Sequence, residues 1–387
     1  MKKYYVSFII VTIFTIIFIS CTKNEDEQYV QVSPVNINFA QVPLPKLSDY
    51  NFFQGDIKLQ NPVFGVIPYE PASSLFADYA HKKRFVWMPS GKSASYDGDD
   101  NVLDFPVGSV LIKTFYYENV QPNNTTKIIE TRLLIKVEDD KITPTTINGS
   151  VVNVKSSGWK LYDYVWNESQ TDAILDVEGF GNFVPVTFKE NGVTKSVEYK
   201  IPSQSECTTC HKLNKNQENG GEISIPIGPK PQNLNTNYNY GTSTRNQLQM
   251  WMSNGYIDNS MPNLNTIRSA VNYKDTSKSL ESRARSYMDI NCAHCHRVGG
   301  HCDYVPQRFN LSNTDMYTFG VCLPPIFNIP DNPFVIKSGD ADHSELIYRL
   351  SSDQGSEMMP IIGRTLIHDE GVQLMKDWIN SLPNACP

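Results

Sequence analysis

The sequence is short of charge and of positive charge in particular. Charged residues fill 19% of its 387 positions, and 34 Lys and Arg against 41 Asp and Glu leave a formal net charge of -7. A phosphate backbone is held by clustered Lys and Arg, and no such cluster occurs beyond the N-terminal segment, which excludes nucleic acid as the partner. A basic protein surface matches this balance better. Long apolar runs are also lacking. Val6 to Ile19 is a stretch of apolar residues interrupted only by Ser7, Thr12 and Thr15, yet it falls short of the roughly 20 residues that span a bilayer. Extended disorder is excluded in turn by 40% apolar and 11% aromatic residues.

What is present begins with the N-terminus. Lys2 and Lys3 precede the apolar run as a signal peptide requires, so residues 1–20 are expected to be removed. Phe18-Ile19-Ser20-Cys21 resembles a lipobox. Phe18 replaces the usual Leu, but it also disfavours ordinary cleavage after Ser20, and Cys21 is the expected lipid-bearing residue. Residues 21–46 then read as a polar tether, with Glu25, Asp26 and Glu27 resembling the acidic tags of surface lipoproteins. The expected address is the cell envelope of a Gram-negative-type bacterium. There the chain is anchored to the membrane through Cys21 and faces the periplasm or the cell surface.

Eight Cys are present, and four fall into two strings, Cys207-Thr-Thr-Cys210-His211 and Cys292-Ala-His-Cys295-His296. At this frequency of Cys and His, coincidence is not a competitor. Two thiols three positions apart reach the two vinyl groups of one porphyrin, and the following His presents imidazole to the iron. The expected cofactors are therefore two covalent haem c groups, on Cys207, Cys210 and His211 and on Cys292, Cys295 and His296. Zinc on the two Cys pairs is the competing reading, since four thiolates make a tetrahedral site, but it leaves both His unexplained. A thioredoxin-like pair lacks its βαβ context. Of the remaining Cys, Cys302 and Cys322 are a candidate disulfide, with Cys386 either free or replacing one of them.

Along the chain, residues 109–116, 131–137, 159–166 and 196–201 mix β-branched and aromatic residues with partial alternation, and Gly and Pro punctuate them. Residues 47–203 are expected to form a mainly antiparallel β domain, a sandwich or barrel. After Cys207 the character changes. Asn246 to Met252 reads as a short helix, Leu280 to Asn291 as one that runs into the second string, and Glu370 to Leu382 as an amphipathic helix stopped by Pro383. The expected class is thus α+β and multidomain. A first haem segment, 204–275, and a cytochrome c-like second haem domain, 276–387, make a mostly α-helical haem region behind the β domain.

Leu47-Ser48-Asp49-Tyr50, Val66-Ile67-Pro68-Tyr69-Glu70, Phe105-Pro106-Val107-Gly108, Lys113-Thr114-Phe115-Tyr116-Tyr117 and Glu130-Thr131-Arg132-Leu133-Leu134 join the two strings in a wider pattern. Tyr164-Val165-Trp166-Asn167, Pro226-Ile227-Gly228-Pro229-Lys230, Arg283-Ala284-Arg285-Ser286-Tyr287 and His368-Asp369-Glu370-Gly371-Val372 continue it. On these stretches the chain resembles a family of exported bacterial dihaem c-type cytochromes with a β-rich N-terminal region. That resemblance implies two haems and electron transfer, and implies no physiological substrate.

The second axial ligands decide what such haems do. Met359, followed by Pro360 on the loop before the last helix, is the candidate for the second haem, with Met358 as fallback. Met261-Pro262 repeats the signature for the first, while His81, His301, His343 and His368 are more distant imidazoles. Met ligation raises the potential, bis-His lowers it, and an open position admits small molecules. Arg364 and Lys230 are candidate partners for haem propionates. Electron relay between redox partner proteins is the leading expectation. A dihaem oxidoreductase, peroxidase-like or a dehydrogenase subunit, is the enzymatic alternative, with Glu198 or His301 as its acid-base group. A haem-bearing binding module using Tyr69, Trp87 and Trp159 is the third.

Overall fold

The computed structural model describes residues 31–147, 150–214, 222–327 and 329–387. The signal peptide and Cys21 lie outside the described residues. Pro34–Pro387 forms one compact unit. No described helix is long and apolar enough to cross a membrane.

Eight strands make the main sheet: β1 (Ile67–Pro68), β2 (His81–Trp87), β3 (Val110–Val120), β4 (Thr125–Ile147), β5 (Ser150–Trp166), β6 (Ala173–Leu175), β7 (Asn182–Glu190) and β8 (Val193–Ile201). All neighbours are antiparallel. The order runs β8-β7-β3-β4-β5-β6, and β2, with β1 beside it, shares the free edge of β3 with β7. The end strands β8 and β6 do not pair. Among the described residues the sandwich or barrel expected from the sequence is therefore a single open sheet, accompanied by three two-stranded ribbons.

Both faces of this sheet are covered, which explains why its alternation was only partial. One face sends Phe85, Val110, Ile112, Leu133, Ile135 and Tyr164 against Leu47, Tyr50 and Phe52. The other sends Val86, Leu111, Leu134, Trp159 and Leu161 against Cys207, Leu248 and Trp251 from beyond the sheet. Strands buried on both sides read as mixed apolar runs rather than strict alternation.

The rest is mainly loop with short helices, and the mostly helical haem region of the sequence reading is not evident. Five helices matter for the site: α1 (Gln204–His211), α2 (Gln247–Ser253), α3 (Leu280–Asn291), α4 (Glu345–Leu350) and α5 (Asp369–Ser381). Helix α3 packs on α5, with Ala284, Tyr287 and Met288 against Leu374, Met375 and Trp378, and α4 closes the cluster. The segment 70–78 ties sheet to helices. The Glu70 backbone exchanges two hydrogen bonds with the Gln247 side chain, each 2.8 Å. The Phe76 amide donates to Asn291, and buried Asp78 accepts from the Thr365 and Leu366 amides.

The disulfide differs from the expected pair. Cys322 is bonded to Cys386, closing a separation of 64 residues, and Cys302 is a buried free thiol. The physical reason is local: the Cys302 amide turns back onto the Cys295 carbonyl at 3.1 Å, which keeps Cys302 beside the second string.

Candidate functional site

Strand β8 ends at Ile201, Pro202 follows, and Ser203 then caps α1. The Ser203 hydroxyl accepts from the Glu206 amide while the Glu206 carboxylate accepts from the Ser203 amide at 2.9 Å. The short helix so nucleated carries Cys207, Cys210 and His211 at spacings that share one face. His211 Nδ1 lies 2.6 Å from the Ile225 carbonyl. A carbonyl only accepts, so Nδ1 carries the proton and Nε2 keeps its lone pair for a metal. Burial pushes the His211 pKa down to about 4, against the pull of that hydrogen bond, so the ring is neutral as a ligand must be.

The second string follows from the end of α3. Ser279 caps its start, Cys292 its end, and the amides of Cys295 and His296 turn back onto the Cys292 carbonyl at 3.1 and 3.0 Å. His296 is 8% exposed and packs on Phe309 with ring centroids 5.0 Å apart. Gly299 then lies against the chain that leaves the first string. Its carbonyl accepts from the Asn214 amide at 2.8 Å, and a Cβ there would stand 2.5 Å from the Asn214 carbonyl oxygen.

The two strings therefore meet. Ligand atoms of Cys210, His294 and Cys295 all lie within 4.8 Å of one another. The Cys302 amide donates to the Cys295 carbonyl at 3.1 Å, which places Cys302 beside this cluster. The outer Cys of each string stands apart as a neutral thiol, burial pushing Cys207 up to about 11 and Cys292 up to about 12. Four thiolates around one zinc are accordingly not assembled.

Each string opens on its own cavity. Cys207, Cys210 and His211 face a narrow one of about 80 Å³ walled by Leu75, Phe76 and Phe115. Cys292 and His296 face a wider one of about 490 Å³ walled by Phe309, Val335 and Leu350, within the range of small-molecule and cofactor sites. Met359 lines both, and also the gap between them. It is held there by Arg364, whose guanidinium donates to the carbonyls of Met359, Arg349, Ser352 and Leu366.

Other sequence-stated candidates fall elsewhere. Met261 packs with Met250, Met252 and Leu264 against the Trp251 cluster and lines neither cavity. Arg364 is engaged with backbone carbonyls, and Lys230 is buried between Asp100 and Asp289 at 3.1 Å each, so neither is free for a propionate. His343 is an exposed partner of Asp340, and His81 lies 4.0 Å from Glu190. Glu198 is exposed on β8. Tyr69, Trp87 and Trp159 are 5%, 8% and 8% exposed, which makes them core residues rather than a recognition surface.

Of the distant imidazoles, His368 does line the His211 cavity, and so does His294, which the sequence hid inside the second string. His368 is clamped: its ring stacks on Phe76 at 4.1 Å, Nδ1 is 3.0 Å from the Tyr287 hydroxyl and Nε2 3.4 Å from that of Tyr273. The basic residues of this cavity, Lys113, Arg132 and Lys200, were also missed. Only Lys113 carried a local signal, as a lone charge in the apolar run Val110–Phe115.

Compared with protein-family models, curated proteins and solved structures, the chain has no match.

Proposed function

We propose that this chain is a dihaem c-type cytochrome that carries electrons between redox partner proteins in the cell envelope, anchored there through Cys21. One observation carries the reading: two Cys-x-x-Cys-His strings far apart in sequence lie side by side, each facing a cavity, with one thioether, Met359, on the wall of both. The donor chemistry suits the group. Each string offers two thiols for thioether bonds and one neutral imidazole.

Bound haem would supply a one-electron iron couple at each string. The residues supply the rest. Cys207 with Cys210, and Cys292 with Cys295, would each hold one haem through two thioether bonds, and Cys210 lies close to Cys295. His211 and His296 would bind the irons, the first oriented by the Ile225 carbonyl. Met359 is the second ligand proposed for the His296 side, where the α3–α5 pair supports a likeness to a cytochrome c domain. On the His211 side His294 and His368 line the cavity and would be the candidates for a second ligand, whereas Met261 packs elsewhere. An acidic chain of this balance suits basic partner surfaces.

A second reading rests on the Cys210, His294 and Cys295 cluster, which would hold a single zinc or similar ion if no haem were attached. An optical redox titration of protein expressed with the haem-attachment machinery separates the two. Two one-electron waves support the cytochrome, and colourless protein with one bound zinc contradicts it. Carbon monoxide added to the reduced protein then reports an open position, which relay alone does not need.

A further inference from the structure

The sheet face that walls the His211 cavity carries a row of positive charge that the protein's own carboxylates match only in part. Arg84 on β2, Lys113 on β3 and Arg132 on β4 are direct cross-strand partners, with Asp163 of β5 next in the row. Lys82, two residues before Arg84, lies on the same face, and Lys82, Lys113 and Arg132 all approach the Phe115 ring, the last two at 4.7 and 4.3 Å. Lys113 and Arg132 line the cavity together with His211.

Only Arg132 is closely matched. Arg132 forms a two-point ion pair with Glu130, which is fully buried and also accepts from the Tyr199 hydroxyl. Arg84, 5% exposed, has Nη1 buried without a hydrogen-bond acceptor, the nearest carboxylate being Glu70 at 4.0 Å. Lys113 has no ion pair among the described residues, and the charges that face it are Arg84, Arg132 and Lys82 against the already committed Glu130. Lys82 faces Arg84, Lys274 and Arg132 against Asp78 alone. Burial and the neighbouring Glu130 carboxylate push Asp163 well above its ordinary range, against the pull of Arg132, so it is a weak counter-charge. Burial pushes Lys113 well below its ordinary range and Lys82 down to about 7. Arg84 is buried with an unpartnered nitrogen, and Lys82 and Lys113 are half-buried beside it, an arrangement that favours an anion among them.

We propose that Lys113 on the wall of the His211 cavity, with Arg84 and Lys82 beside it on the same sheet face and Lys82 reaching the adjoining cavity, forms a carboxylate-binding site. Cross-strand neighbours stand about 5 Å apart, a spacing that suits two carboxylates carried on adjacent arms of one ligand. Propionate arms of a porphyrin held by Cys207, Cys210 and His211 are one source, which rests on the function proposed above. A free small dicarboxylic acid is the other.

The experiment uses full-length protein, wild type, Lys113→Gln and Lys113→Arg, with haem per chain counted on every sample. If propionates fill the site, Lys113→Gln keeps its haems, while the potential of the first haem falls and becomes dependent on pH between about 5 and 8 as a carboxylate loses its partner. Lys113→Arg then keeps the wild-type profile. If the source is a free acid, calorimetry with succinate shows saturable binding to wild type that weakens at least about tenfold in Lys113→Gln, with potentials unmoved. A fall in potential without new pH dependence, or no change in either measurement, overturns the site. Colourless wild-type protein would sink the cytochrome reading, and succinate binding would still decide the site. Should Lys113→Gln fail to fold, Lys82→Gln is read by the same two measurements.

Discussion

His368 shows how a single residue reports on its surroundings. It is 5% exposed, and burial pushes its pKa down to about 4, whereas an unfolded chain protonates His near 6.5. Between those values the unfolded state binds a proton that the folded state refuses. Stability from this group is complete above about pH 6.5 and is lost as pH falls toward 4, on the order of 3 kcal/mol in all. Urea denaturation across this range should therefore show a shallower acid loss in His368→Gln than in wild type, by close to one proton; an unchanged slope would contradict the buried neutral ring. Cys302 makes a second residue-scale prediction. With Cys322 bonded to Cys386 and the four string thiols in thioethers, denatured but unreduced holoprotein should expose one alkylatable thiol, on Cys302. Modification of Cys322 or Cys386 instead would disprove the pairing.

At the scale of elements, two features hold the candidate site in place. Gly371 lies in the first turn of α5, where a Cβ would collide with the Tyr287 hydroxyl and stand 2.5 Å from His368 Nδ1. Helical Gly→Ala ordinarily stabilises by up to about 1 kcal/mol. Here the sign should reverse, with Gly371→Ala losing about 1–3 kcal/mol in chemical denaturation, because the Tyr287–His368 contact must open. The loop 351–366 depends on Arg364 in the same way. Its guanidinium satisfies four carbonyls around Met359, and hydrogen bonds to charged groups contribute about 1.5–3 kcal/mol each when partners are left buried. Arg364→Ala should lower stability by several kcal/mol on that scale and free Met359, so that the potential of the His296-side haem drops and its ferric Met–iron band fades. Retention of the band would show that Met359 is not the ligand.

Much of this was legible from local chemistry. Strands β3, β4, β5 and β8 cover the stretches read as strands except Ser109, α2 and α5 lie within a residue of their expected limits, and α3 spans the expected Leu280–Asn291. Their signals are short-range: β-branched runs, capping Ser and Asn, and an apolar face stopped by Pro383. What was not legible depends on chain crossings. The open sheet could not be told from a sandwich because partners for both of its faces come from distant loops. His294 was read as a spacer between two Cys, and only the approach of the strings brings it beside Cys210. Met261-Pro262 carried the same local signature as Met359-Pro360, but the Trp251 cluster claims it. The row Arg84, Lys113, Arg132 exists only once register is fixed.

At the scale of the whole molecule, the account joins a two-face-covered sheet, a helix pair and two thiol-imidazole strings into one compact unit. Its central claim is covalent haem at both strings. The most direct test is a pyridine haemochrome assay with iron and zinc quantitation on full-length protein expressed with haem-attachment machinery, followed by peptide mass mapping. Two haems and two irons per chain are expected, with haem-bearing peptides at Cys207–His211 and at Cys292–His296. Stoichiometric zinc, no Soret absorption and unmodified thiols in both peptides would contradict it.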